Sequence, residues 1–379
     1  MEPFALERWM TTWETRVQYD LAESGILPLR ARDLLELLPD AERASALDSL
    51  LDLRLGYSEA RGTEELRELL AATYRGATPD EILVTTGAIE ANFLLFQLLL
   101  EPGDHVVACY PAYQQLYSVP RGLGCEVAHW RAREEEDGFR FDVDDLARLI
   151  TRKTRLVVLN TPHNPTGAAL SDVDVRRVYA LADAAGATVL SDEAYRWLGV
   201  PGGEPAAPPM FDLGPRGVSV GTLSKPFGLP GLRIGWLAAH GDVAARCWAL
   251  RDYVSLSPGR LSDALAVTAL RHRERIFERN RHIIAANLAT AERWFAAREG
   301  LVDWHSPRGG LLSLLRYHLP LPSLDLANLL AERYSVMLAP GSAFGYEHRL
   351  RIGIGQDPAV FAAGLERTGE CLAGLAGTA

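Results

Sequence analysis

Lysine is nearly absent from this chain. Of its 39 basic residues only Lys153 and Lys225 are lysines, and all the others are arginines. The guanidinium of arginine stays protonated and cannot form a Schiff base, so chemistry that needs a primary amine has two side chains to draw on. From their neighbours in the sequence, we expect Lys153 to be a surface residue and Lys225 to be functional.

Cysteine is also scarce, and its four positions are isolated from one another. No Cys-x-x-Cys pair and no adjacent histidine cluster accompanies any of them, so the pattern disfavours both a metal site and disulfides. We expect buried thiols in a reducing cytoplasm at Cys109, Cys125, Cys247 and Cys371.

Long apolar runs and a basic surface are missing too. No stretch of ~18 uncharged apolar residues occurs, and the charged N-terminus has no apolar run ahead of a small-residue cleavage site. These absences disfavour a membrane span and export, and they predict a cytoplasmic protein. The net charge of -10 and the pI of about 5.5 argue against a nucleic-acid surface. We therefore expect small-molecule partners.

The residues that are present describe a packed globular protein. Its 379 residues are 48% hydrophobic and 23% charged, and because single cores stop growing near ~250 to 300 residues we expect one large and one small domain. Short apolar runs alternate with helical periodicity, which predicts an α/β fold with a largely parallel sheet and a ligand site at the carboxyl ends of its strands. The predicted strands are Ile82 to Val84, His105 to Cys109, Glu126 to Trp130, Arg155 to Leu159, Thr188 to Leu190 and Val218 to Val220.

The pattern changes at about Leu265. A long arginine-rich helix is predicted over Arg271 to Glu299, and a closing helix from Pro358. Short strands are expected near Gly310 to Leu315 and Arg351 to Gly355, which together indicate a second, smaller α+β domain. We predict an N-terminal segment (1–45) that contributes to the small domain and covers the active site, a large domain (46–270) and a small C-terminal domain (271–379).

Lys225 follows a predicted strand, in the string Gly-Thr-Leu-Ser-Lys-Pro-Phe-Gly-Leu-Pro-Gly-Leu-Arg-Ile-Gly-Trp. A Schiff-base lysine must lose its proton near neutral pH, which desolvation and a nearby cation both promote. Arg233 and the hydroxyl of Thr222 suit a phosphate group. The plain alternative is a glycine-rich loop with a lysine in a salt bridge.

Two further strand ends carry polar groups. Asn164 lies in Asn-Thr-Pro-His-Asn-Pro-Thr-Gly, and its amide is a donor suited to a phenolate oxygen, although the same string is also an ordinary turn. Asp192 and Tyr195 lie in Ser-Asp-Glu-Ala-Tyr. An aspartate there can hold a pyridine nitrogen protonated while the phenol binds a ring oxygen, or the two can form a satisfied pair in the core.

These three motifs, in this order and spacing, resemble those of the class I and II aminotransferases, which are fold type I enzymes dependent on pyridoxal 5'-phosphate. The resemblance covers Tyr57 to Gly355 and implies an aspartate-aminotransferase-like α/β fold. It implies that Lys225 forms the Schiff base and shuttles the proton, and that Asp192 binds the pyridine nitrogen. Asn164 and Tyr195 would bind the ring oxygen and Arg233 the phosphate.

The resemblance also implies roles for segments whose own sequence patterns are less specific. After Gly87 the amides of Ala88 and Ile89 would bind phosphate at a helix N-terminus, with added help from Thr222 because no hydroxyl residue follows the glycine. Tyr113 resembles the aromatic residue that stacks on the cofactor ring. Its alternative is a core tyrosine.

Tyr57 resembles a tyrosine that reaches the phosphate of the neighbouring subunit, which implies a homodimer with shared active sites. Arg351, in Arg-Leu-Arg-Ile-Gly-Ile-Gly, matches the arginine that binds the substrate α-carboxylate. Gly25 and Asn164 are the other substrate-binding candidates. The segment Glu23 to Pro28 stands where relatives often carry a different glycine and proline motif.

The resemblance implies an enzyme that acts on an L-α-amino acid through an external aldimine, with removal of the Cα proton by Lys225. Transamination is the outcome we expect first. The alternative is β or γ elimination, C-S lyase chemistry or cyclisation in antibiotic biosynthesis, because strings such as Arg-Asp-Tyr-Val-Ser-Leu-Ser-Pro resemble the capreomycidine-synthase branch. A sensor domain of a transcription regulator would need a DNA-binding module for which the chain has no room.

Overall fold

The computed structural model describes residues 1–377. Its α-helices are α1 Ala5–Trp13, α2 Ala31–Leu35, α3 Asp40–Leu51, α4 Glu64–Ala71, α5 Ala88–Leu99, α6 Gln115–Gly122, α7 Val143–Leu149, α8 Asp172–Ala184, α9 Val243–Arg251, α10 Arg260–Arg271, α11 Arg273–Ala296, α12 Ser323–Tyr334 and α13 Pro358–Ala376. Its strands are β1 Tyr19–Asp20, β2 Ile82–Thr85, β3 His105–Tyr110, β4 Glu126–Arg131, β5 Arg133–Glu135, β6 Gly138–Arg140, β7 Thr154–Asn160, β8 Thr188–Asp192, β9 Gly217–Thr222, β10 Gly235–Ala239, β11 Val302–Asp303, β12 Leu312–Tyr317, β13 Val336–Met337, β14 Ala339–Pro340 and β15 Arg349–Gly353.

A seven-stranded sheet forms the centre of the large α/β unit, in the order β2-β10-β9-β8-β7-β3-β4. The pairs among β9, β8, β7, β3 and β4 are parallel, which confirms the predicted sheet, and β10 runs antiparallel to both of its neighbours. All six strands predicted within this sheet are present, each with one to three more residues than predicted. Strand β10 was not predicted, since its five residues lie between glycines and include two alanines, which have low strand propensity.

The parallel strands bring the candidate side chains to one edge. Strand β7 ends at Asn160, β8 at Asp192 and β9 at Thr222, and Asn160 is in register with Asp192. Because the carboxyl ends of parallel strands meet at the same edge of a sheet, the residues that follow them share one crevice.

A four-stranded sheet in the order β11-β12-β15-β14 lies in the C-terminal part, with α11, α12 and α13. The helix predicted over Arg271 to Glu299 is present as α11, which begins two residues later and ends three residues earlier than predicted. The structure has two helices, α10 and α11, separated at His272, whose φ of -109° and ψ of 21° leave the helical region. The predicted short strands and the closing helix are present as β12, β15 and α13.

The N-terminal segment packs on the C-terminal part of the chain. Strand β1 pairs in parallel with β13, and Leu6, Trp9 and Leu21 share a buried cluster with residues of β12, β15 and α13. Leu34, however, belongs to a different buried cluster with residues of α4 and α10. The division into 1–45, 46–270 and 271–379 remains a proposal.

The cysteines and the apolar character of the helices were also the subject of sequence-based predictions. All four cysteines are buried and free, as expected. Among residues 1–377 no helix is long and apolar enough to cross a membrane.

Candidate active site

A cavity of about 490 Å³ opens at the carboxyl edge of the large sheet. Its wall combines the ends of β7, β8 and β9 with the N-terminus of α5, strand β15 and the N-terminal segment. The predicted site residues that line it are Gly87, Ala88, Ile89, Tyr113, Asn164, Asp192, Tyr195, Thr222, Lys225, Arg233 and Arg351.

Asp192 forms the buried floor of this cavity. Its Oδ2 accepts a hydrogen bond of 2.9 Å from Asn92 Nδ2, and its Oδ1 accepts one of 3.0 Å from the amide of Ala194. Burial raises the pKa of Asp192, although the Asn92 hydrogen bond opposes the rise. A cation bound against this carboxylate would therefore be the partner that keeps it ionised. Asn92 was missed in the sequence, because an asparagine inside an apolar helix carries no motif.

Lys225 projects into the cavity from the loop after β9. Its Nζ donates to Ser24 Oγ at 2.8 Å and to Glu23 Oε1 at 3.3 Å. Burial is the largest single influence and lowers the pKa of Lys225, but Glu23 and Tyr195 together outweigh it, so that the pKa of the free amine lies above its usual range. Desolvation and the nearby cation Arg351 therefore act in the expected direction, but an acid that was not predicted reverses the net result. The acid responsible belongs to a segment in which only Gly25 was predicted.

One pole of the cavity is built for an anion. Gly87 is the N-cap of α5 with φ of 78°, so the amides of Ala88 and Ile89 in the first turn have no carbonyl acceptor within the helix. A Cβ atom on Gly87 would come within 2.7 Å of Arg233 Nη2, which shows how closely the guanidinium and the helix N-terminus approach. Gly235 allows this packing, since a Cβ there would lie 2.4 Å from the Ala88 nitrogen.

Two hydroxyl groups border the same pole. Thr222 Oγ1 lies 3.0 Å from both the carbonyl oxygen of Ile234 and Ser224 Oγ, and it accepts from the Ser224 amide at 3.1 Å. Ser224 lines the cavity as well, and it precedes Lys225 directly. The hydroxyl of Thr222 is thus already hydrogen-bonded within the protein. Ser224, which lies in the same motif, is a second candidate phosphate ligand that was not predicted.

Arg351 forms the opposite pole. It is 1% exposed, and it donates to Asn164 Oδ1 at 2.9 Å and to the Ala22 carbonyl at 2.7 Å, whereas its Nε is buried without a partner. Among residues 1–377 no carboxylate lies within salt-bridge distance of it. A buried cation without a counter-ion is costly, so the geometry favours an anionic ligand at this pole.

Helix α1 lies over the mouth of the cavity. Leu6, Glu7, Met10 and Glu14 line the wall, and Glu7 Oε1 accepts a hydrogen bond of 2.9 Å from the Tyr113 hydroxyl. The segment 1–45 was predicted to cover the active site, but no residue of this helix was among the predicted site residues. The spacing of Leu6 with Met10 and of Glu7 with Glu14 places them on one helical face, and this was the available signal.

Two predicted residues lie outside the cavity wall. Gly25 is a neighbour of the wall, because its amide donates to Glu23 Oε1 at 2.7 Å and a Cβ on it would lie 3.5 Å from Lys225 Cδ. Tyr57 is 84% exposed on the chain surface and contributes nothing to the cavity of its own chain.

Comparison with known proteins identifies the family. The model of the family described as aminotransferase class I and II matches residues 26–367. The chain belongs to this family. It is 34% identical to capreomycidine synthase of Streptomyces vinaceus over 92% of this chain and 88% of that protein. It is 30% identical to arginine–pyruvate transaminase AruH of Pseudomonas aeruginosa over 83% of this chain and 82% of that protein.

A solved structure gives the same assignment. The PLP-dependent cyclase OrfR superposes with a TM-score of 0.89 at 33% identity, over 100% of this chain and 98% of that chain. This aminotransferase-family member is therefore an enzyme with the aspartate-aminotransferase-like fold, and its cofactor is pyridoxal 5'-phosphate.

The donor set of the cavity fits this cofactor. The α5 N-terminus with Arg233 forms a cradle for a phosphate, and the buried Asp192 suits a protonated ring nitrogen. The side chains of Lys225 and Tyr195 line the same cavity. With Oδ1 of Asn164 accepting from Arg351, the amide nitrogen of Asn164 is left as a donor for a ring oxygen.

Proposed function

We propose that this family member is an aminotransferase for an L-α-amino acid whose side chain carries a positive charge. One observation carries the proposal. Once Lys225, Arg233 and Asp192 are assigned to the cofactor and Arg351 to the substrate carboxylate, the remaining charged groups on the wall are all acidic: Glu7, Glu14 and Glu23. A cationic side chain is the complement of such a wall.

The residues divide the work as follows. Bound here, pyridoxal phosphate supplies an aldehyde and an electron-withdrawing ring that make the Cα–H bond of an amino acid acidic. Arg351 binds the α-carboxylate through its guanidinium and so fixes the orientation of Cα. Lys225 Nζ removes the Cα proton and returns it as a general acid. Asp192, Tyr195 and Asn164 hold the ring at its nitrogen and oxygen.

The names of the relatives support a cationic substrate. An arginine–pyruvate transaminase and capreomycidine synthase both match more than four-fifths of the chain. The former supports transamination of a guanidino amino acid. A second candidate, elimination with cyclisation, is supported by the likeness to capreomycidine synthase and to the cyclase OrfR, which both span over nine-tenths of the chain.

The test is a single-turnover reaction of the holoenzyme with matched pairs of amino acids and no keto-acid acceptor. L-arginine is compared with its neutral isostere L-citrulline, L-lysine with L-norleucine, and a cysteine S-conjugate is included for C-S lyase activity. Faster turnover of the cationic member of each pair supports the proposed substrate class, and equal or slower turnover contradicts it. One keto acid per site together with the pyridoxamine form of the cofactor identifies a transaminase. Continued release of ammonia or a cyclic product identifies the second candidate.

The acidic wall is tested by the double variant Glu7→Gln, Glu14→Gln. Because both residues are exposed at the mouth of the cavity, we expect a moderate rise in KM for the cationic substrate, roughly five- to tenfold. Glu36→Gln, an exposed acid outside the cavity wall, serves as the matched control. An equal rise in the control variant would assign the effect to general electrostatics.

A further inference from the structure

The buried carboxylate of Asp192 receives a side-chain hydrogen bond from helix α5. Asn92 Nδ2 donates to Asp192 Oδ2 at 2.9 Å, and Asn92 is 1% exposed on the cavity wall. The helix is otherwise largely apolar at this point, and Asn92 Oδ1 is buried without a partner. Asparagine has a lower helix propensity than leucine, and a buried acceptor without a donor costs free energy. These costs point to a role for Asn92 beyond the packing of the helix.

The orientation of the Asn92 amide is set by Gln115, the first residue of α6. Gln115 Nε2 donates to the carbonyl oxygen of Ile89 at 2.6 Å, and its Oε1 accepts from Asn92 Nδ2 at 3.5 Å. If the Asn92 amide were turned over, its oxygen would face both the Gln115 oxygen and the Asp192 carboxylate. An oxygen offers neither of these acceptors a hydrogen, so both contacts would be lost. Gln115 therefore keeps Asn92 in place as a donor.

A fixed N–H donor distinguishes between the two protonation states of Asp192. It binds the ionised carboxylate more strongly than the neutral acid, and it offers no acceptor to the O–H group that the neutral acid would carry. Burial raises the pKa of Asp192, and the hydrogen bond from Asn92 is the largest influence that lowers it. The asparagine thus opposes the protonation that burial favours.

The ionisable groups that face Asp192 do not replace this hydrogen bond. Lys225 also lowers the pKa of Asp192, but in the loaded enzyme its amine is committed to the cofactor. Cys109 faces Asp192 from β3, and Tyr113 and Tyr195 face it from the loops after β3 and β8; burial raises the pKa of all three, so they are neutral. The ionisation of Asp192 therefore depends on the N–H donors in contact with it.

We propose that Asn92, oriented by Gln115, is a positioning residue that keeps Asp192 ionised as the acceptor for the ring nitrogen of pyridoxal phosphate. An ionised acceptor favours the proton on the ring nitrogen, and the protonated ring is the stronger electron sink. Asn92 acts through Asp192. The inference rests on the proposed role of Asp192 at the ring nitrogen, and it is independent of the charge on the substrate side chain.

The position of the proton can be measured in the full-length holoenzyme. The enzyme is loaded with pyridoxal phosphate isotopically labelled at the ring nitrogen, and nitrogen NMR reports the ratio of its protonated and unprotonated forms. Asn92→Leu removes the donor at similar side-chain volume, and we expect this ratio to fall about tenfold, the effect of one hydrogen bond to a charged group. Gln115→Leu keeps Asn92 but frees its amide to turn, so we expect a smaller change in the same direction.

A second measurement does not depend on the NMR signal. The affinity of the cofactor-free chain for pyridoxal phosphate is compared with that for its deaza analogue, in which a CH group replaces the ring nitrogen. The wild type should prefer pyridoxal phosphate, and Asn92→Leu should reduce this preference about tenfold. Asn287→Leu, which removes another buried asparagine outside the cavity wall, is the matched control and should keep the preference.

Ring protonation and cofactor preference that both stay unchanged in Asn92→Leu overturn the proposal, and so does an equal loss in Asn287→Leu. If Asn92→Leu fails to fold by circular dichroism, Gln115→Leu decides in the same two measurements. Failure of the underlying assignment is seen separately, because Asp192→Ala would then keep the wild-type preference for pyridoxal phosphate. Failure of the proposed substrate class appears only in the panel of amino acids.

Discussion

Arg351 is a buried charged residue of the site whose hydrogen bonding is incomplete. Its guanidinium is buried, two of its nitrogens are hydrogen-bonded to neutral oxygens, and its Nε has no partner. Desolvation lowers its pKa, yet an arginine of this kind remains charged at physiological pH. Nearby acids such as Glu23 and Asp20 oppose this lowering from a distance, so the folded chain keeps a cation in the cavity that can pair directly with an anionic ligand.

Replacement of Arg351 should act mainly on substrate binding. We expect Arg351→Gln to raise KM for the amino acid roughly 30- to 150-fold, since a hydrogen bond between charged groups contributes about 2 to 3 kcal/mol. Arg351→Lys keeps the positive charge but loses the planar guanidinium that can form two parallel hydrogen bonds with a carboxylate. We therefore expect it to recover only part of the affinity for the amino acid. Steady-state kinetics measure both, with thermal unfolding as the control for folding. An unchanged KM in Arg351→Gln would remove this residue from the carboxylate site.

Asp20 gives the molecule a pH-dependent stability term. Burial, followed by the charge of Glu23, raises the pKa of Asp20 from 3.8 to about 6, although the amides of Ala22 and Glu23 donate to its carboxylate. Because the folded pKa lies above the unfolded one, the stabilisation is fully present below pH 3.8 and is lost as the pH rises through about 6.

The direction of this pH dependence can be tested with Asp20→Asn, whose side-chain oxygen can still accept hydrogen bonds from both amides. Between pH 4 and pH 7 the wild type should lose up to about 3 kcal/mol of its free energy of unfolding relative to the variant, as expected for a shift of about two pK units. Urea unfolding at the two pH values measures the difference. Parallel pH dependence in the two proteins would mean that the carboxyl has an ordinary pKa.

At the level of elements, the sequence was informative where strands end and weak where short helices begin. The ends of β7, β8 and β9 carry motifs that fix both the strand and the polar residue after it, so the cofactor pocket followed from local patterns. Strand β10 was not predicted, because five residues that begin with a glycine and include two alanines carry little strand signal of their own. Helix α1 was not assigned, although its buried residues Leu6, Trp9 and Met10 have helical spacing. Tertiary pairing with β2 and β9, and docking over the cavity, decide their structure.

The docking of α1 depends on one side chain of α12. The indole nitrogens of Trp9 and Trp13 both donate to Asn328 Oδ1, at 2.9 and 3.2 Å. Trp9 lies in a buried cluster and Trp13 packs against it, while the same helix carries acidic residues of the cavity wall.

Asn328→Leu should loosen α1. Two indole donors would lose their acceptor, at a cost of about 1 kcal/mol each, and we expect cleavage by trypsin after Arg8 or Arg16 to accelerate about tenfold or more. Asn328→Asp keeps an acceptor oxygen and is the matched control. Cleavage rates followed by mass spectrometry give the answer, and equal rates in the two variants would mean that other contacts hold the helix. Excess amino-acid substrate should slow the cleavage if α1 covers the bound ligand.

At the scale of the whole molecule, a single chain leaves the anion-binding end of the cavity, formed by the N-terminus of α5 and Arg233, partly open to solvent. Ile89, in the first turn of α5, is 40% exposed, and Arg233 is exposed as well. Large apolar side chains are also exposed at Leu51, Leu55, Tyr57, Tyr253 and Val254. Exposed apolar side chains in this number are typical of a surface that contacts another protein. A homodimer that covers this surface and completes the pole with Tyr57 of the second subunit remains our proposal.

Complementation between two inactive variants tests this dimer directly. Lys225→Ala removes the amine in one subunit, and Tyr57→Phe removes the hydroxyl that we expect to act across the interface. In a mixed dimer one site combines both defects, whereas the other has an intact Lys225 and an intact Tyr57. We therefore expect equal mixing to restore up to about a quarter of the wild-type activity, since half of the dimers are mixed and each carries one complete site. Subunit exchange is followed by native mass spectrometry, and exchange without recovery of activity would place Tyr57 outside the shared site.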